Sequence, residues 1–346
     1  MSNASLRAGH AAGDVTYRRA MTWRETELTR RLGIRLPIVQ APMAGGWTTP
    51  PLVAEVSEAG GLGSVAGAML QPGDLREVIR AVRSLTDRPF AVNLFAPLPA
   101  PSSRGVEEWS RLTGVPVPDE PAPPPRLDDQ LAVVVEERVP VFSFTFGVPP
   151  LDGMDAYTIG TATTVEEAVA LQDAGVQAVV AQGYEAGGHR GTFLAPVSES
   201  LVGTLALVPQ VVDAVSMPVI ASGGLMDGRG IAAARALGAQ GVQLGSAFLR
   251  TDEAGTGAAY REALGRDTTV THVLTGRPAR MVRTPAVDRL EQSGAEPPDY
   301  PLPRLFNTEP PMLAGQAASM ARSVPARELV AALERETSAA VEALTT

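Results

Sequence analysis

Eight short apolar runs recur between residues 36 and 246, and helix-forming segments separate them. The runs are Leu36–Met43, Leu62–Val65, Phe90–Phe95, Val141–Phe146, Tyr157–Gly160, Ala178–Gln182, Val219–Ser222 and Gly241–Leu244. Gly60-Gly61, Gly175 and Gly238 stop the helices before three of them. Parallel strands need such crossovers, and eight strand–helix units predict a parallel sheet closed into a (β/α)8 TIM barrel. An open doubly wound sheet is the weaker alternative, because no GxGxxG opens the first helix. The barrel is expected over residues 31–250, behind a loosely ordered arm at 1–30. Residues 251–346 lack further runs of this kind and read as a small C-terminal helical appendage, closed by a helix from Pro325 to about Leu344.

Two stretches break the rhythm. Nine prolines fall between Pro97 and Pro125, which predicts an extended loop insertion leaving the third strand. The fourth crossover is shortened. Only Val148–Ala156, with Pro149, Pro150 and Gly153, separates the fourth run from the fifth, too little for a helix that returns along a strand. The outer faces of strands four and five are then expected to meet water unless something covers them. The arm, through Val15, Tyr17, Met21 and Trp23, or a second copy of the chain would do so, and a homodimer with this region near its interface is expected.

Missing residues narrow the chemistry. There is no Cys, and all 29 basic residues are Arg. Thiolate nucleophiles, Fe–S clusters, Schiff bases and Walker-type loops are excluded, so any redox chemistry needs a bound cofactor. His10, His189 and His272 have no ligand spacing, and no metal site is expected. A net charge of −9 and a pI near 5.0 argue against nucleic acid or an anionic membrane as partner. No apolar run has the length of a membrane span and no apolar core follows Arg7, so a cytoplasmic enzyme acting on a small molecule is the default expectation.

Ligand chemistry should collect past the C-terminal ends of the strands. Gly223-Gly224 follow the seventh run and Gly245-Ser246 the eighth, the usual phosphate position of this fold. Glycines there let backbone N–H groups approach phosphate oxygens, and Ser246-Ala247-Phe248-Leu249 can begin the short helix that favours an anion. Two tight turns without a ligand are the plain alternative. His189 is flanked by Gly187-Gly188 and Gly191, which predicts an exposed turn. With an ordinary pKa near ~6.5 it suits a general base, a structural histidine being the plain alternative. Asn93 and Gln182 close apolar runs, where a carboxamide either caps the strand end or pairs with a ligand edge such as a flavin.

Together these residues resemble the nitronate monooxygenases, FMN-dependent barrel enzymes. The likeness runs from about Pro37 to Phe248, with an echo at Leu313-Ala314-Gly315-Gln316. It rests on Gln40-Ala41-Pro42-Met43, Asn93-Leu94-Phe95-Ala96-Pro97, Ser143-Phe144-Thr145-Phe146-Gly147, Gln182-Gly183 with Glu185-Ala186-Gly187-Gly188-His189, Ala221-Ser222-Gly223-Gly224 and Gln243-Leu244-Gly245-Ser246. The resemblance implies FMN as cofactor, with Ala41, Pro42 and Met43 at the isoalloxazine and Asn93 and Gln182 on flavin or ribityl polar atoms. It further implies Gly187, Gly223, Gly224, Gln243, Leu244, Gly245 and Ser246 along ribityl and phosphate. Ser246 stands where Thr is usual and keeps the hydroxyl. His189 would be the base or substrate positioner beside the flavin, and O2 would turn an alkyl nitronate or nitroalkane into a carbonyl compound and nitrite. The Gly-Gly-His element also occurs in similar FMN-dependent enoyl-thioester and quinone reductases that use NAD(P)H. A non-catalytic, partner-binding barrel is the third reading.

Overall fold

The computed structural model describes residues 23–118 and 123–345. Eight strands form one parallel sheet: β1 (Ile38–Gln40), β2 (Gly63–Ala66), β3 (Phe90–Phe95), β4 (Val141–Thr145), β5 (Tyr157–Ala162), β6 (Ala178–Gln182), β8 (Val219–Ser222) and β9 (Gly241–Leu244). A two-residue strand, β7 (Gly188–His189), lies outside it. The sheet runs β1-β9-β8-β6-β5-β4-β3-β2, and a parallel bridge between Val39 and Leu62 joins its two ends into the expected barrel.

Helices α1 (Glu27–Leu32), α2 (Pro50–Glu58), α3 (Pro72–Leu85), α4 (Val106–Thr113), α5 (Leu127–Glu136), α6 (Val165–Asp173), α7 (Thr204–Ala214) and α8 (Gly228–Ala236) precede or link the strands. Their ends follow local chemistry. Thr49 caps α2 by accepting from Leu52 N at 3.2 Å with Pro50 in the first turn, and Asp227 caps α8. Helix α1 closes the N-terminal end of the barrel, where Leu28 and Leu32 join Val141, Ile159, Val180 and Ile220 in a dry interior cluster.

The short fourth crossover is present, with β4 and β5 in direct parallel register from Val141↔Tyr157. The uncovered face expected there is absent. Phe142 and Phe144, which alternate with inward-facing Val141 and Ser143, are each 0% exposed. They cluster with Val133 and Val134 of α5 and Leu171 of α6, and Val148, Leu151 and Met154 of the loop pack against that cluster. Gly160 lets α6 come close, since a Cβ there would stand 2.6 Å from Leu171. The two flanking helices and the loop's own apolar residues replace the missing helix, which removes the reason given for a homodimer. Of the arm, Trp23 is buried against α11 (Ala326–Thr345) and donates to Ser338 Oγ at 3.1 Å, far from this crossover. Val15, Tyr17 and Met21 lie outside the described residues.

Two further differences concern segments read as irregular or appended. The proline-rich insertion contains α4, which fits because Ser102–Val115 is free of proline, and Trp109 on it is 0% exposed. The C-terminal region is not a helical appendage. Its helix α11 packs on α8 and α2 and takes the outer position that follows the eighth strand of the barrel. The rest contains α9 (Ala258–Ala263), α10 (Pro285–Ser293) and an antiparallel pair, β10 (Thr268–Thr271) with β11 (Ala279–Val282). Strand β11 pairs with β7, Ala279 facing His189, so this region is joined to the mouth of the barrel.

Candidate active site

An open cavity lies over the C-terminal ends of the strands. Inward positions change character along each strand. Ala91, Val141, Ile159 and Ile220 are interior apolar residues, whereas Asn93, Thr145, Thr161 and Ser222, further along the same strands, line the cavity.

The turn after β1 is fixed from below. Gln40 is fully buried; its Oε1 accepts from Ser64 N at 3.0 Å and its Nε2 donates to Ala41 O. Thr48 Oγ1 accepts from Met43 N at 2.9 Å. Ala41, Pro42 and Met43 therefore form one held wall of the cavity.

The glycine turns form another. Gly224 follows β8 at φ +71, backbone that a side chain would strain. A Cβ on Gly245 would meet only Ala41 Cβ, at 3.5 Å, so the space over that turn is open. Ser246 starts a single 3-10 turn and accepts from Gly315 N at 2.9 Å. Gly315 belongs to a strap crossing the mouth, held by Tyr260 Oη to Leu313 O at 2.6 Å and by Gln316 N to Glu185 O at 3.0 Å. The strap lies so close to Gly187 that a Cβ there would stand 2.5 Å from Gly315 N. Gly223 and Gln243 also line the cavity; Leu244 does not, its side chain being buried in the outer core.

Asn93 donates to Ser143 Oγ at 3.0 Å. Gln182 is tied differently from the expectation: Nε2 donates to His189 O at 3.0 Å and Oε1 accepts from Gly191 N at 2.9 Å. Its carboxamide holds the backbone on both sides of Arg190, directly after His189. Arg190, 0% exposed, anchors the same loop through Gly183 O at 2.7 Å and Ser200 O at 2.9 Å.

His189 is not the exposed imidazole of ordinary pKa that its glycines suggested. Burial, then the Arg277 and Arg304 charges, push its pKa down to about 3, so it is neutral at physiological pH. Its Nε2 is buried without a hydrogen-bond partner. The ring meets Tyr300 edge-on at 5.3 Å and Phe146 at 6.1 Å. Arg277 lies over Phe146 at 3.9 Å and donates to Thr192 O at 2.7 Å. Tyr300, Arg277, Arg304 and the strap come from the C-terminal region, far along the chain from every strand-end motif. Only the Leu313–Gln316 echo pointed to any of them.

The nitronate monooxygenase family model matches residues 26–324. A probable nitronate monooxygenase of Staphylococcus saprophyticus is 42% identical over 301 residues, 80% of this chain and 84% of that protein. One from Staphylococcus haemolyticus is 43% identical over 303 residues, with 81% and 84% covered. Among solved structures, a nitroalkane oxidase from Streptomyces ansochromogenes superposes with TM-score 0.84 at 38% identity, covering 92% of this chain and all of that one. FabK from Thermotoga maritima gives TM-score 0.72 at 31% identity, over 93% of this chain and 98% of that one.

Proposed function

The chain belongs to the nitronate monooxygenase family of oxidoreductases, and on that premise we propose that it oxidises alkyl nitronates with O2 to a carbonyl compound and nitrite, using non-covalent FMN. The observation that carries the substrate side is the electrostatics at His189: burial first, and then the Arg277 and Arg304 charges, keep the imidazole neutral, and those two charges also favour an anion beside it. A nitronate is that anion. A neutral nitroalkane would need a proton removed, and an imidazole of pKa about 3 is a poor base for it. His189 therefore acts as a positioner, offering its unpartnered nitrogen to the substrate.

The residues fit FMN. The open space over Gly245, the left-handed turn at Gly224 and the hydroxyl of Ser246 make a cradle suited to a terminal phosphate. Ala41, Pro42 and Met43 would face the ring system, Asn93 would hold polar atoms, and Gly187, Gly223 and Gln243 would line the chain between. Gln182 serves mainly by holding His189. When bound, FMN supplies the electron-accepting and oxygen-reactive chemistry that no side chain here has. The strap and the Phe146–Arg277 stack limit water at the mouth.

Replacing Gly245 by Val tests the cradle. Its φ of −105° tolerates a side chain and the new methyl groups enter only the cavity, so the variant should fold and lose FMN. Full FMN content at unchanged affinity would place the cofactor elsewhere. The reductase reading draws on the FabK likeness. One anaerobic spectrum separates the two: bleaching by a nitronate but not by NAD(P)H supports oxidation, and the reverse supports reduction. The non-catalytic reading falls with its premise, since the short crossover leaves the barrel covered and the family is one of enzymes. Among the described residues no cluster of His, Asp or Glu could hold a metal ion, and no helix is long and apolar enough to cross a membrane.

A further inference from the structure

Phe146 is one of two non-glycine residues with positive φ among those described, at +77°. An L-aromatic residue adopts this conformation only when its surroundings compel it, and such strain concentrates at functional sites. The compulsion is visible. The ring is packed against Phe95 at 4.7 Å between centroids and against the Arg277 guanidinium at 3.9 Å, and the residue is 5% exposed. Gly147, at φ +131, completes the reversal of the chain. Phe146 nevertheless lines the cavity, with its ring plane 81° from that of His189. Tyr300 stands edge-on to His189 on another side and is also within 6.5 Å of Phe95. The space beside His189 is thus bounded by aromatic rings. Of these, Phe146 is the one held in place by its own backbone strain and a cation at its back.

We propose that Phe146 is the end wall of the substrate subsite and sets the alkyl chain length that the site admits, a proposal that rests on the nitronate reading above. A straight chain leaving the reacting carbon beside His189 meets the Phe146 ring. Because Phe95 and Arg277 hold it, that ring cannot turn aside without losing both contacts, and the guanidinium's donation to Thr192 O fixes the cation it rests on. Short chains fit in front of the wall. Longer ones must displace it, and a single misplaced methylene in an apolar pocket is worth about tenfold or more in discrimination.

The test compares straight-chain nitronates of two to six carbons on the FMN-loaded enzyme. For the wild type kcat/KM should fall by about tenfold or more toward the longest chain. In Phe146→Ala and Phe146→Gly the fall should shrink to within about threefold. Phe146→Leu, which keeps most of the bulk, should restore the wild-type profile. The glycine variant removes the wall while relieving the strain at φ +77, so it guards against a misfolded alanine variant. Binding of the neutral nitroalkanes of the same lengths, read by calorimetry without oxygen, should show the same profile and needs no turnover. If none of the series is oxidised but the binding profile flattens in the variants, the oxidation reading fails and the wall stands. A length profile unchanged by all three substitutions, in turnover and in binding, overturns the proposal, as does a uniform loss at every length.

Discussion

The two ends of this barrel are built from the same strands and solve opposite problems. At the N-terminal end, α1 plugs the opening with an apolar interior cluster: Leu28 and Ile159 are at most 3% exposed, and Leu28 lies so close to β9 that a Cβ on Gly241 would stand 2.5 Å from it. At the C-terminal end the interior positions turn polar, a histidine nitrogen is buried unpartnered and a phenylalanine is held at positive φ. One end carries stability at no functional cost, and the other stores unsatisfied chemistry that the rest of the fold must support. The sharpest way to break this division is a pair of truncations. His189→Ala should leave folding and flavin content intact and lower turnover by about 10²–10⁴, with losses on preformed nitronates as large as those on neutral nitroalkanes if His189 positions. A much larger loss on the neutral forms would restore it as a base. Leu28→Ala should do the reverse, costing about 2–5 kcal/mol of stability with unchanged turnover per folded molecule, read by urea unfolding and steady-state rates.

The same division explains what could be read from residues alone. Strand bodies such as Ala91-Val92 and Val219–Ala221, with glycines that end helices, carry their structure locally, so the barrel was legible. So were the strand-end motifs that meet at the cavity, because this fold sends every strand end to one face. Helix α4 was hidden by the prolines around it, although the spacing of Val106, Trp109 and Thr113 within a proline-free window was a usable signal. Arg277, Arg304 and Tyr300 had no signal, because they lie far along the chain from His189 and only the folded C-terminal region brings them to it. The lowered pKa of His189 was out of reach for the same reason: flanking glycines say that a turn is open, not what the C-terminal region lays over it. Nor could the sequence show that Phe142 and Phe144 would be covered by helices on either side of a missing one.

A smaller effect sharpens the contrast through pH. The folded pKa of His189, about 3, lies below its ordinary value of 6.5. Between those values the unfolded chain takes up a proton that the folded chain refuses. His189 therefore lowers stability as pH falls from about 6.5 toward 3, and the penalty is absent above that window. From pH 7 to pH 5 the wild type should lose about 2 kcal/mol more than His189→Gln, measured by urea unfolding at both values. Tyr157, which packs against the interior cluster at the opposite end, has its pKa pushed up to about 12 by burial and stays protonated across this window, so Leu28→Ala should show the wild-type pH slope. Parallel slopes for wild type and His189→Gln would mean that the imidazole is hydrated in solution and that the mouth is less enclosed than its geometry indicates.

The smallest expected effect lies at the start of α1. Thr26 and Thr29 form a reciprocal cap: Thr26 Oγ1 accepts from Thr29 N at 3.1 Å, and Thr29 Oγ1 accepts from Thr26 N at 2.9 Å. Both residues are buried, so water replaces neither bond well. Thr26→Ala removes one acceptor and leaves Thr29 N unsatisfied, which costs about 1 kcal/mol for a cap of this kind. In a domain this large that is a fall in Tm of about 2 °C. The helix would still be held by Leu28 and Leu32 in the plug, and its C-terminal Gly33 at φ +67 would still end it. Flavin affinity and turnover should not move, because the apolar interior cluster lies between the cap and the cavity. A change in either constant beyond error, at a temperature where the variant is fully folded, would show that the plug and the mouth are coupled through the barrel.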